Sequence, residues 1–485
     1  MRKGSAIHAA GLAAMTILGM ALVSQPASAQ AELCVDCLRV RVEAPIVVRG
    51  PFPDELDATF TALKLVDGSI RGFSANGSTY AIDGTTLMDM GGPRREVLQA
   101  GAPGSLSDCG QWLTSIMRSG GAVLGLVHQE RSCDYEKGRT DKSMAIATSS
   151  DDGLTWTGLR TVITGTDRMQ PDKITGEGDC TMVDGQDSYL YAYCLRNSDW
   201  QTIVARAPVS DPTRWNKYYE GGWSQPGLGG EATAIGFLGP GAGYIKAFGS
   251  VAAIATDPWF GGVRLSLSQD KVSFADLDEP LVTIDGSDWA RPADSDLIAY
   301  GIILNPDTGS NVADQNFTLG YIYVPPGKGF ESRYLVLQEV SLSLEDKPLA
   351  TQVGMALTRW SDPQKAGYVT STGPVTGDRL GYTRDRTVAY MLTRPPEGVA
   401  STKFAECSSN ALGHLDQILA EDGTCEAAGY SHERTAGWLY AEQQPEAVPV
   451  YRCVDERAQS HFASSAADCE GLGMMELLLG YGLKP

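Results

Sequence analysis

Carboxylates stand at or just before the start of one β-patterned segment after another: Asp57, Asp108, Glu177 with Asp179, Glu231, and Asp294 with Asp296. If the fold gathers these segment ends, the acids converge in a cleft. One can then be held protonated to donate to a leaving oxygen while another, ionised, activates water or attacks carbon, which is the chemistry of glycoside hydrolysis. Mutual repulsion would help raise one of the pKa values. Acids are plentiful in this chain, 59 Asp and Glu in all, so calcium binding or loop solvation is the plainer use of any single one.

The densest run of chemistry-bearing residues extends from Leu126 to Asn197. Within it Gly176, Gly178 and Cys180 surround Glu177 and Asp179 as GEGDC, so the backbone can bring both side chains close to a substrate; a turn with fortuitous acids is the plainer alternative. His128, Glu130, Arg131, Asp141 and Lys142 fall where a strand ends and a loop follows. They suit either a grip on sugar hydroxyls or a surface ion-pair cluster. Further on come Arg196, Asp199, Trp200, Trp215, Trp223 and Glu231. Aromatic faces stack on sugars as on anything flat and apolar. Trp112 and Trp223, beside strand-opening or glycine-rich positions, are the expected substrate contacts, with the other tryptophans in the core.

Other chemistries lack their residues. His128 is the only histidine between about Pro45 and Leu344, and no GxSxG elbow or phosphate-binding Walker loop occurs, so a histidine zinc site, a serine-hydrolase elbow and nucleotide chemistry are not expected. No metal ligand set is assigned.

The elements that must position these residues follow from the rest of the chain. Arg2 and Lys3, an apolar stretch from Ala9 to Val23, and Ala27-Ser28-Ala29 read as a secretory leader cleaved after Ala29. The chain after it is expected to be secreted, periplasmic or extracellular, with no membrane insertion, because no later segment approaches the roughly 20 apolar residues of a span. All 10 cysteines lie beyond residue 29, which predicts disulfides between sequence neighbours and leaves no thiol for catalysis: Cys34 with Cys37, Cys109 with Cys133, Cys180 with Cys194, Cys407 with Cys425, Cys453 with Cys469. After cleavage 37 basic side chains face 59 acidic ones, a net charge of −22, which argues against nucleic acid and anionic membranes as partners. Oligomeric state is not legible.

Residues 30–350 carry an all-β pattern: short runs of Val, Ile, Thr, Tyr and Phe between Gly, Asp, Asn and Ser clusters. Units of similar build recur, from DATFTALKLVDGSIRGFS through DCGQWLTSIMRSGGAVLGLVHQE, GDCTMVDGQDSYLYAYCLRN and EATAIGFLGPGAGYIKAFGS to DLIAYGIILNP with NFTLGYIYV. Five units predict a five-bladed β-propeller, whose first strands line the axis. Ser149, Asp151, Gly153, Thr155 and Trp156 form an Asp box, a hairpin stabiliser. Residues 365–485 form a second region, a small disulfide-stapled module: AEC at 405–407 matches YRC at 451–453, each followed by a histidine (His414, His461) and a Cys-Glu pair. It resembles the Tyr-Arg-Cys and His-Phe repeats appended to secreted bacterial hydrolases, which implies glycan or surface binding and dispensability for turnover.

Over roughly residues 45–345 the chain resembles the five-bladed β-propeller glycoside hydrolases, the group of arabinanases, fructosidases and related furanosidases. The resemblance rests on blade count, on the strand-opening acids, and on LVHQE followed by SMAIATSSDDGLTW, similar to the run "FYHAE, then IGLATSxDGxxW". It implies a base at Asp57, a pKa-tuning acid at Asp108 and a proton donor at Glu177, with Asp179 or Glu231 as rivals for the last role. The substrate implied is an extracellular polysaccharide or oligosaccharide, arabinan-like or otherwise furanose-containing. No cofactor is required, although a calcium ion on the axis would suit the oxygens there. Inversion and retention are not distinguished. A noncatalytic lectin or adhesion protein is the reading from a different class. A sialidase is disfavoured by the single Asp box and the lack of an arginine cluster.

Overall fold

The structure, a computed structural model, describes residues 33–51, 54, 56–239, 241–256, 262–285, 295–362, 364 and 367–485. The expected leader and cleavage site, and Asp294, lie outside these residues. From Cys34 to Pro485 the chain forms one compact unit, and it is all-β: beyond short 3-10 turns, its regular elements are strands.

The strands follow one another as antiparallel meanders. The first comprises Thr61–Lys64, Ile70–Asn76, Ser78–Gly84 and Arg94–Leu98. The second is Gly110–Ser119, Ala122–Asp134, Arg139–Ser149 and Thr157–Thr164. The third runs from Ile174–Asp184 through Tyr189–Arg196 and Gln201–Pro208 to Asn216–Tyr219 and Gly222–Pro226. Gly241–Ile245, Ser250–Ala255, Arg264–Ser268 and Ala275–Asp276 make the next. After it, Leu297–Leu304, Asn316–Val324 and Tyr334–Leu344 take the N-terminal strand Leu38–Val42 as their outer member.

These sheets pack face to face. Leu63, Phe73 and Ala81 of the first meet Leu113, Ile116 and Val127 of the second. Leu126 and Met144 of the second meet Met182 and Ala192 of the third, and Val183 and Tyr193 meet Ala242 and Val251. Phe60, Ile70 and Ile82 close back on Ile302, Ile322 and Leu337. Because both faces of the inner strands are covered, they read as continuous apolar runs such as LIAYGIIL rather than as alternation. The opening strand of each meander also touches the next one's, and Leu297–Leu304 returns to Thr61–Lys64. Starts of distant segments are thereby brought near one another.

The Asp box is a hairpin brace, as its residues predict. Asp151 accepts from Ser149 Oγ (2.7 Å), Thr155 N (2.9 Å) and Thr155 Oγ1 (2.7 Å), while Trp156 sets its ring edge-on to Phe73 of the neighbouring sheet. All five disulfides join the sequence neighbours named above.

Beyond Leu344 the chain builds three similar three-stranded units. Val353–Ser361, Tyr368–Ser371 and Thr383–Leu392 form one; Ser401–Ser409, Asp416–Glu421 and Ser431–Tyr440 the next; Ala447–Asp455, Ser460–Ser464 and Met474–Leu483 the last. Their third strands meet cyclically, Leu392 with Trp438, Tyr440 with Tyr481, and Leu483 with Tyr390. The repeat marked by residues 405 and 451 thus has a third member starting at Val353. That member carries no cysteine; Trp360 packs on Val369 and Val375 where the others place a disulfide.

Candidate functional site

The site begins with two backbone irregularities. In Ile174–Asp184 the register against the next strand slips between Gly178 and Thr181, and Asp179 takes a left-handed φ of 51°. In Leu297–Leu304 the register slips between Ala299 and Ile302, and Tyr300 has φ 55°. A bulge with one residue in this region re-aims a side chain that regular pleating would send elsewhere. Gly178 makes the first bulge feasible, because a Cβ there would collide with the ring of His128.

Asp179 consequently turns towards the second sheet. Its backbone N–H donates to His128 Nδ1 (2.9 Å), and its carboxylate lies 2.8 Å from Lys142 Nζ. With Nδ1 occupied as an acceptor, the imidazole carries its proton on Nε2, 3.1 Å from Glu130 Oε1. Glu130 also accepts from Tyr135 Oη (2.6 Å) and Thr140 Oγ1 (3.2 Å), with Lys142 at 3.6 Å. Tyr135 keeps its ring 63% exposed. On the other side Asp57, just ahead of the first sheet, pairs with Arg333 at 2.7 Å and lies 3.4 Å from the Tyr300 hydroxyl.

The charges of this group act on one another. Burial raises the Asp57 carboxyl to about 6; Arg333 works against that, while Asp179 and Glu130 add to it. Its side chain nevertheless retains 38% accessibility, so it is desolvated by its neighbours yet open to a solute. Asp179 shows the opposite balance: burial opposes ionisation, but Lys142, by its charge and its hydrogen bond, holds the carboxyl below its ordinary value. Glu130 is likewise driven low, burial being overcome by the hydrogen bond from His128 and by Lys142. Tyr300 is pushed up, chiefly by Asp57. One carboxyl that holds its proton near pH 6 thus shares a site with two that do not, a division suited to acid–base work.

The other residues predicted from sequence lie elsewhere or act differently. Glu177 does not follow Asp179: it is 2% exposed, with Oε2 2.7 Å from the wholly buried Nζ of Lys217. Burial raises its carboxyl to about 7 despite Lys217 and Arg196. Lys217 also donates to the carbonyls of Thr164 and Gly230, so the pair ties the second sheet to the third and faces no solvent. Asp108 spends both oxygens on backbone amides, Oδ1 on Ser132 and Oδ2 on Gly104, bracing the loops beside Cys109–Cys133. Glu231 is exposed and opens no strand: from Ala232 to Gly239 the chain makes only an isolated bridge, at Gly236.

Arg196 is locked in a forked pair with Asp199 and donates to the Ala232 carbonyl, and Arg131 is engaged by Asp141. Trp112 is buried with Ala58 and Ala75, edge-on to His128, and so backs the site from behind. Trp223 stacks with Arg206 and meets Tyr191 and Tyr218 edge-on, away from this group. Asp296 is buried with Arg434, 3.6 Å away, where the fifth meander meets the C-terminal units.

Tyr300, Arg333, Tyr135 and Lys217 were not anticipated. An isolated glycine after a tyrosine in LIAYGIIL is the one signal that could have marked the bulge. Among the described residues no cluster of His, Cys, Asp and Glu has the form of a metal site.

No family model matches the chain, and no curated protein does. Solved structures resemble it at low identity. The catalytic domain of a GH62 α-L-arabinofuranosidase from Coprinopsis cinerea matches at TM-score 0.41 and 13% identity, covering 63% of this chain and 98% of that one. A family 117 glycoside hydrolase from Zobellia galactanivorans matches at TM-score 0.43 and 11% identity, covering 64% and 92%. An α-L-arabinofuranosidase from Lactobacillus brevis matches at TM-score 0.39 and 13% identity, covering 59% and 92%.

Proposed function

We propose that this chain is a secreted glycoside hydrolase built on a five-bladed β-propeller, acting on an extracellular glycan, with furanose-containing polymers favoured. The five meanders serve as blades and their opening strands as the axial ring. What supports the reading is that Asp57, ahead of the first sheet, and Asp179, on the third, bear on one another: Arg333 holds Asp57 at 2.7 Å and Lys142 holds Asp179 at 2.8 Å, and Asp179 and Glu130 add to the upward push that burial gives the Asp57 carboxyl. Asp57, which retains its proton to about pH 6, donates it to the glycosidic oxygen as the bond to the anomeric carbon breaks. Asp179, kept ionised by Lys142, stabilises the positive charge developing on the sugar, and either deprotonates the attacking water or bonds to the anomeric carbon itself. This exchanges the base role that the family resemblance gives Asp57 for a donor role. Arg333 and Tyr300 orient Asp57, and the Tyr135 ring offers an apolar face at the rim.

Asp108 and Glu177 act structurally in this scheme, and Glu231, Arg196, Arg131 and Trp223 stand outside it. No cofactor enters it. The C-terminal units are a glycan- or surface-binding appendage. The test is sugar release from a panel of plant, bacterial and algal polysaccharides by the parent and by an Asp57→Asn, Asp179→Asn double variant of verified fold. Release by the parent alone supports the reading.

A second reading, a glycan-binding propeller without catalysis, has its own support. Arg333 and Lys142 pair with Asp57 and Asp179 at 2.7 and 2.8 Å, as a purely binding floor would. Retained glycan binding without release from any substrate would favour it.

A further inference from the structure

The pseudo-threefold arrangement of the C-terminal units makes them comparable position by position. Trp360, Cys407 and Cys453 lie opposite Arg384, His432 and Met475, and the residues before them, Arg359, Glu406 and Arg452, lie opposite Arg386, Arg434 and Leu477. Each third strand therefore carries one extra residue at the same place, and in all three it is an acid: Asp385, Glu433 and Glu476. Arg359 donates from Nε to Asp385, and Arg452 from Nε to Glu476 at 2.8 Å. Two of the three units thus hold an arginine in the same way, each against its own bulge.

What completes each arginine differs. The Cys469-Glu470 turn of the third unit reaches the first, where Glu470 takes Arg359 in a fork, Nη1 to Oε1 at 3.2 Å and Nη2 to Oε2 at 2.9 Å, and Arg386 adds a second cation at 2.8 Å. The equivalent turn between the second and third units is Cys425-Glu426. Cys469 and Glu470 have left-handed backbone, φ 51° and 56°, whereas Cys425 is right-handed, φ −53°. Glu426 is accordingly exposed. In place of the carboxylate lies a cavity of about 360 Å³ lined by the counterparts of the groups around Glu470: Arg452, Leu477 and the Ala427-Ala428 turn, with Leu478 beside them and Glu421 also on the wall. Nη1 and Nη2 of Arg452 donate to none of the described residues; Nε alone is engaged. The junction of the first and second units offers no such opening, because Glu406 replaces the arginine and is satisfied by Ser371 and Thr372.

We propose that this cavity binds the carboxylate of a uronic acid residue in a glycan, Arg452 forking onto it as Arg359 forks onto Glu470. The inference rests on the reading of the C-terminal units as glycan-binding and names the sugar class. A guanidinium edge matches a planar carboxylate through two parallel hydrogen bonds. Leu477 and Leu478, 38% and 43% exposed, supply an apolar wall for the ring, where the first unit has Arg386. The volume falls in the range of small-ligand sites, about 300–1,000 Å³. The net charge of −20 repels long acidic runs, so the ligand is an isolated or terminal uronate on a mostly neutral chain.

The experiment is calorimetric titration of the full chain with D-galacturonate and D-glucuronate, beside methyl β-D-galactoside and acetate. One of the uronates is expected to bind with Kd about 1 mM, the affinity of a sugar-sized ligand, and the neutral glycoside and acetate at least about tenfold more weakly. Arg452→Gln, its fold checked by near-ultraviolet circular dichroism, should weaken uronate binding about tenfold or more. Leu477→Arg restores the second cation that Arg386 gives Glu470 and should tighten binding about threefold or more, a gain that misfolding cannot produce. Absence of uronate binding, equal binding of the neutral glycoside, acetate bound as tightly as a uronate, or indifference to both substitutions would overturn the proposal. Neutral polysaccharides still bound by a chain that ignores uronates would overturn this site and leave the glycan-binding reading standing.

Discussion

Removing the cation beside Asp57 tests the division of roles between the two carboxylates. Arg333 sits 2.7 Å from Asp57 and is what limits the upward push of burial, Asp179 and Glu130. A neighbouring cation at this range typically lowers a carboxyl pKa by about one to three units; for a carboxylate this accessible, about one to two is expected. Arg333→Gln should therefore move the Asp57 carboxyl from about 6 to about 7 or above. If Asp57 is the donor, kcat/KM falls as pH rises through about 6 in the parent, and the variant shifts that falling limb upward by one to two pH units. If Asp57 were the base, the same residue would give a limb that rises through about 6. The assay is kcat/KM against pH on the best substrate of the panel, with a carbon-13 titration of labelled Asp57 as the direct reading. A falling limb unmoved by the variant, or a rising limb in its place, refutes the assignment.

Three further outcomes follow from the same geometry. Lys217→Met leaves Glu177 buried without its cation, which costs about 3–5 kcal/mol where Glu177 must ionise. Because the Glu177 carboxyl is raised to about 7, the folded protein holds that proton more tightly than the unfolded chain, so the loss of thermal stability should be large at pH 8 and small at pH 5; equal losses would contradict the pairing. Asp151→Ala removes three hydrogen bonds of the Asp box and should cost about 1–3 kcal/mol in denaturant unfolding while leaving kcat unchanged. Tyr135→Ala should raise KM about tenfold through loss of a rim aromatic face, and Tyr135→Phe, which keeps the ring and loses only the bond to Glu130, should recover most of it.

Part of the candidate site was legible because its side chains sit where strands begin or end. Asp57 opens a β-patterned unit, His128 and Glu130 close another in LVHQE, and GEGDC marks a distorted strand. The sequence could not say which way that strand turns. Two acids two positions apart would share a face in regular β-structure, and the bulge at Gly178 and Asp179 sends one to the site and the other to Lys217, 40 positions along the chain from Glu177. Tyr300 was hidden for the same reason, and Arg333 because it joins the site from an irregular segment. Glu231 was misplaced because EATAIG has a strand's composition in a glycine-rich neighbourhood that stays irregular. The disulfides were readable as sequence neighbours. The first C-terminal unit was not, since Trp360 stands where its relatives carry the cysteine that defines the repeat.

The central claim is that Asp179, and not Glu177, is the working carboxylate of GEGDC. It is tested most directly by comparing Asp179→Asn with Glu177→Gln for sugar release on one substrate at pH 5.5, with folded fraction measured for each. The account predicts that Asp179→Asn loses activity by about a thousandfold or more while folding normally, and that Glu177→Gln keeps activity in proportion to its folded fraction. The reverse pattern, a folded but inactive Glu177→Gln beside an active Asp179→Asn, would contradict it.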